Sequence, residues 1–106
     1  MAKYLLEVQY TLDGARGVLA NGGSARRTAA AAAVKSVGGK IESFYFAFGK
    51  NDAYVIADLP DNTSAAALAL TVTASGAASV RTIVLLTPDA ASTSSGKDVR
   101  YRPPGS

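Results

Sequence analysis

Cysteine, histidine and tryptophan are absent from the 106 residues. Without thiols there are no disulfide staples, no thiolate nucleophile and no sulfur-ligated metal. Without imidazole the usual near-neutral proton carrier and the commonest metal ligand are missing too. Neither a metal centre nor a cofactor is expected. Charged residues make up only 18% of the chain, with a net excess of +3. Lys97, Arg100 and Arg102 stand beside Asp89 and Asp98, and the other basic residues are scattered among Glu7, Asp13, Glu42, Asp52, Asp58 and Asp61. No basic patch of the kind nucleic acid requires is formed. Long hydrophobic runs are missing as well. The longest uncharged stretch, Asn62 to Val80, is interrupted by Thr, Ser and Gly, and Glu7 comes too early for the apolar core of a secretory signal. No membrane partner and a cytoplasmic location are the expectations.

What is present is apolar: 48% of the residues are hydrophobic, enough for one globular domain and too short a chain for two cores. Tyr4, Leu6, Val8 and Tyr10 alternate with Leu5, Glu7 and Gln9, the period-two pattern of a strand, over Lys3 to Thr11. Asp13 is placed to cap a short helix that Asn21-Gly22-Gly23 breaks. Ser24 restarts a helix to Val37, with Ala30, Ala33, Val34 and Val37 as its apolar stripe. Lys40 to Phe48 is rich in β-branched and aromatic residues and reads as strand two. Gly49 to Asp52 is a turn, and Ala53 to Leu59 is strand three. Pro60-Asp61-Asn62-Thr63 stops that strand and caps a helix to Ser75, and Val80 to Leu86 is strand four.

The order β-α-β-β-α-β is that of the ferredoxin-like α+β fold, a four-stranded antiparallel sheet with two helices on one face. Residues 1–87 make this domain, and 88–106 read as a flexible polar tail.

A sheet covered by helices on one face only is expected to be polar on the other. Here Phe44, Phe46 and Phe48 alternate with Tyr45, with Ile41 on the side of Tyr45, and Ile83 and Leu85 oppose Val80, Val84 and Leu86. Both faces carry apolar side chains, so a homodimer packed through the open face is expected. The uncharged second crossover helix, with Leu68, Leu70 and Val72 among alanines, offers a second contact for a higher oligomer.

If Tyr4, Leu6, Val8 and Tyr10 face the helices, then Glu7, Tyr54, Asp58 and Arg81 point to the open face, with Tyr45 nearby. Two carboxylates, two phenols and a guanidinium there would suit a small ligand. A raised carboxylate pKa would suit acid–base chemistry without a cofactor. The plainer alternative is a Glu7–Arg81 ion pair across the strands, with Asp58 at the sheet edge in water. A second candidate is Gly22-Gly23-Ser24-Ala25-Arg26-Arg27, a glycine turn into a helix, where Ser24, Arg26 and Arg27 would bind an anion or salt-bridge to acids of this or another subunit. An RNA-recognition module shares the strand order, but strand three lacks the basic-glycine-aromatic signature and carries Asp58.

Met1 to Leu6, Gly22 to Arg27, Phe44 to Asp52 and Asp58-Leu59-Pro60-Asp61 together resemble the GYD domain family over roughly residues 1–90. The resemblance implies a ferredoxin-like domain of the dimeric α/β-barrel kind and no particular activity. The naming motif corresponds to Gly49, Asn51 and Asp52, with Asn51 where tyrosine is usual. Two functions stay open. One is a self-assembling, non-catalytic domain with or without a small ligand. The other is a cofactor-independent isomerase or oxygenase acting on a small aromatic or dicarbonyl compound, by analogy of fold alone.

Overall fold

A computed structural model describes residues 1–105. Its elements are β1 (Ala2–Tyr10), α1 (Leu12–Asn21), α2 (Gly23–Ser36), β2 (Lys40–Phe46), β3 (Ala53–Leu59), α3 (Asn62–Ala74), β4 (Ala78–Leu85) and α4 (Pro88–Ser95). The strands form one antiparallel sheet in the order β2-β3-β1-β4. This is the ferredoxin-like arrangement expected, with the first crossover divided into two helices.

Strand alternation decides what the helices cover. Tyr4 and Leu6 of β1 and Val55, Ala57 and Leu59 of β3 meet Val34 of α2 and Ala65 and Leu68 of α3 in the buried core. Both α2 and α3 are alanine-rich, so most of the large side chains of the core come from the strands. The Tyr4 hydroxyl donates to Asn62 Oδ1, which satisfies the one polar atom of the most buried aromatic residue.

Four local expectations are corrected. Thr11, not Asp13, caps α1: its side chain accepts from the Gly14 N–H, while its hydroxyl also donates to Gly76 O. Strand two ends at Phe46, so Phe48 is fully exposed. A bulge between Ile41 and Ser43 leaves Glu42 as the extra residue and turns Ile41 to the helix side, opposite Ala57, rather than to the side of Tyr45. Finally, residues 88–95 of the expected tail are helical, with Pro88 at the start and Thr87 accepting from the Ala90 N–H as its cap. That helix and residues 96–105 after it are exposed almost throughout.

Asp61 caps α3 by accepting from the Ser64 N–H at 2.8 Å. That backbone hydrogen bond, followed by one from the Ser64 hydroxyl, holds the carboxyl below its ordinary value of 3.8. A depressed folded value means the stabilisation is complete above the unfolded value and disappears as pH falls through the folded one. Asp61→Asn caps without titrating, so the advantage of wild type in urea midpoint at neutral pH is expected to shrink as pH falls below 3.8 and through the lower folded value. A gap that persists in acid would contradict this.

Candidate functional site

The strand registers arrange the helix-free face as a grid. One row crosses all four strands as Tyr45, Tyr54, Glu7 and Arg81, each directly opposite the next. The adjacent row is Ser43, Ile56, Leu5 and Ile83, and the one beyond it contains Asp58, Lys3 and Leu85. The candidates Glu7, Tyr45, Tyr54 and Arg81 therefore share one row, as alternation predicts. Asp58 does not join them, because the row of Leu5 and Ile56 intervenes.

Asp58 also differs in its surroundings. It sits on an interior strand, not at the edge, and its Oδ1 accepts from Lys3 Nζ at 3.0 Å. The same ammonium donates to Glu42 Oε2 at 3.1 Å, from the bulge of β2. The Asp58 hydrogen bond first, then that of Glu42, raises the Lys3 pKa above its usual value. A carboxylate occupied in this way is not poised as half of an acid–base pair with Glu7.

Glu7 is not paired with Arg81 either. Among the described residues no ion pair joins them, although they oppose each other in register. Glu7 Oε2 instead accepts from Asn51 Nδ2 at 2.9 Å, and the same amide donates to the Tyr54 hydroxyl at 3.2 Å. Asn51 is the one buried polar residue among those described, 3% exposed, and its Oδ1 is buried with no hydrogen-bond partner.

The loop that carries Asn51 is fastened to β1 at every residue from Lys50 to Asp52. Lys50 O accepts from Gln9 Nε2 at 2.7 Å, the Asp52 N–H donates to Val8 O at 2.8 Å, and Asp52 Oδ2 accepts from the Tyr10 N–H at 2.8 Å. An Ala47 N–H to Asp52 O bond of 2.8 Å closes the loop at its base. The loop thereby sets the position of the Asn51 amide over one end of the open face. The sequence pattern marks this segment only as a turn and does not single out Asn51 as a site residue. Its place at the tyrosine position of the naming motif was the available signal.

The second candidate divides. Gly22 has φ of 85° and caps both α1 and α2, and Gly23 lies so near the Phe46 ring that an added Cβ would come within 2.8 Å of it. The glycine pair thus serves a tight helix-to-helix turn packed on an aromatic ring. Ser24 is exposed. Arg26 is half-buried and turns towards Tyr10, whereas Arg27 is exposed and lines a different surface depression with Lys35 and Lys40. The two arginines do not converge, and neither forms an ion pair among the described residues. Burial raises the Tyr10 pKa above its ordinary value; the Arg26 guanidinium opposes that rise and Asp52 adds to it. The phenol is therefore protonated at neutral pH.

Among the described residues no three acidic side chains come together as metal ligands, and no helix is long and apolar enough to cross a membrane. Searches of curated proteins and of solved structures find no match. The family comparison is positive, and the loop from Gly49 to Asp52 that positions the site falls inside the matched region. With residues 4–93 matching the GYD domain model, nearly the full length of the sheet and helices just described, the chain belongs to the GYD domain family.

Proposed function

We propose that the chain works as a homodimer packed sheet to sheet through its helix-free face, as a binding domain and not a catalyst. The observation that carries this reading is the row of Ile56, Leu5 and Ile83 on that face, bordered by Tyr45, Tyr54 and Leu85. Ile83 is 40% exposed and Tyr45 71% exposed in the single chain. Covering such side chains returns about 25 cal/mol for each Å² of apolar surface removed from water. Lys3 is paired within the chain with Asp58 and Glu42, and Glu7 accepts from Asn51, so each of these groups would enter the seam with a hydrogen-bond partner in place. Arg81 and Lys40 are exposed charges of this face and would meet the rim or a partner's acceptor.

Acid–base catalysis on the same face has less support. Glu7 has no second carboxylate in its row, and Asp58 is committed to Lys3.

Light scattering coupled to size-exclusion chromatography at micromolar concentration is expected to give about twice the chain mass of 10.8 kDa. Ile83→Glu, at an exposed position of an edge strand, is expected to give the single-chain mass with unchanged circular dichroism. A wild-type monomer would defeat the proposal. A larger particle that Ile83→Glu leaves intact would assign assembly elsewhere, with the exposed Leu70 side of α3 the place to look.

A further inference from the structure

On the opposite side of the sheet, between its covered face and helices α2 and α3, a crevice of about 150 Å³ opens to the surface. Its wall is apolar, with Val8, Ala30, Phe44, Val72 and Val80 among the lining side chains. The alanines of α2 are the cause: where a bulkier helix would fill the gap over β1 and β4, Ala30 and Ala33 leave it open. A crevice of this volume accommodates a molecule about as large as benzene.

Of the residues lining the crevice only Arg26 is charged, and no carboxylate of the described residues pairs with it. Two other polar side chains reach the lining. Ser75 is occupied, donating to Val72 O and accepting from the Ala77 N–H. The Tyr10 side chain stands close to Arg26, and its hydroxyl enters no hydrogen bond among the described residues. An apolar chamber with one unpaired guanidinium and one free phenol is complementary to a compact apolar body that ends in an acceptor-rich anion.

We propose that this crevice is a binding site for a small monocarboxylate with a single-ring or similarly compact apolar body. The ring occupies the space between Phe44, Val72 and Val80, and the carboxylate accepts from Arg26 and from the Tyr10 hydroxyl. A dicarboxylate would leave its second charge among apolar side chains, and a long acyl chain exceeds the volume. Arg27 has no part in the site. The proposal is independent of the dimer, since the crevice lies on the other face of the sheet.

Benzoate is the probe and benzyl alcohol its neutral counterpart, each titrated into the full-length protein and followed by amide shifts in two-dimensional NMR. Benzoate is expected to bind with a dissociation constant on the order of millimolar or tighter, moving the amides of Val8, Ala30 and Val72, and about tenfold better than the alcohol. Arg26→Gln is expected to abolish that preference while leaving the alcohol's binding unchanged, and Arg27→Gln is expected to leave both unchanged. Absence of saturable shifts up to about 10 mM, shifts confined to Leu5 and Ile56, or equal losses in the two arginine variants would each overturn the proposal.

Discussion

Two glycines three residues apart on the same helix, Gly14 and Gly17, are expected to respond to alanine with opposite signs. Gly14→Ala places a Cβ 1.9 Å from Ala77 O, a backbone atom. That carbonyl is held in place, since it accepts from the Thr11 N–H at 3.0 Å and lies next to Gly76 O, the acceptor of the Thr11 hydroxyl. The start of α1 and the turn from α3 into β4 are thus bolted together, and neither can give way without breaking these bonds. Overpacking against side chains costs about 1–3 kcal/mol, and against fixed backbone more. A loss of about 3 kcal/mol or greater is expected for Gly14→Ala, from a total of about 5–15 kcal/mol for a domain of this size.

At Gly17 an added Cβ meets nothing within 4 Å. There alanine brings only its helix propensity, a gain of about 0.5–1 kcal/mol. Thermal unfolding of the two variants beside wild type measures both. With about 4–8 °C for each kcal/mol, the pair should separate by well over 10 °C. Similar melting temperatures would mean that α1 is not docked against Ala77. Gly14 also lines the crevice proposed as a binding site, so Gly14→Ala should weaken benzoate binding even where the protein remains folded.

Leu59→Ala is expected to have the next largest effect. Leu59 is fully buried, and one of its methyl groups lies where a Cβ on Gly39 would fall, 2.5 Å away, so the side chain fills the space at the end of α2 completely. Truncation loses the transfer free energy of the side chain and leaves a cavity that the alanine-rich helices have no long side chains to refill. A cost of about 2–5 kcal/mol is expected. The comparison is Leu70→Ala on α3, a leucine 70% exposed in the single chain, for which a change within about 0.5 kcal/mol is expected. Urea denaturation gives both. Equal effects would indicate that α3 buries a different face from the one carrying Ala65 and Leu68.

The elements were legible in the sequence wherever one signal dominated. Ala53 to Leu59 alternates between buried and half-buried residues over its whole length, and its bounds agree with the reading of strand three. The face assignment of Glu7, Tyr54 and Arg81 likewise follows from period-two alternation, which holds as long as no residue is inserted. Ile41 is where it fails: Glu42 is inserted, the count shifts by one, and Ile41 joins the core. Nothing in the composition of Lys40 to Phe46 marks that bulge. The helix at 88–95 was obscured by its serines and threonines, although Thr87 followed by Pro88 is a recognisable start.

By itself the chain determined the order of its strands and helices, the twofold apolar character of its sheet, and the exclusion of thiol and imidazole chemistry, because these depend on residue type and short-range periodicity. The partners of the charged groups were decided only in three dimensions. Glu7 had Arg81 directly opposite and took Asn51 instead, and Asp58 took Lys3. Register brings backbones into opposition, but a side-chain hydrogen bond also requires the right length and direction. Those depend on a loop folded back across the sheet and on one inserted residue, information carried by contacts between segments about 40 to 55 residues apart.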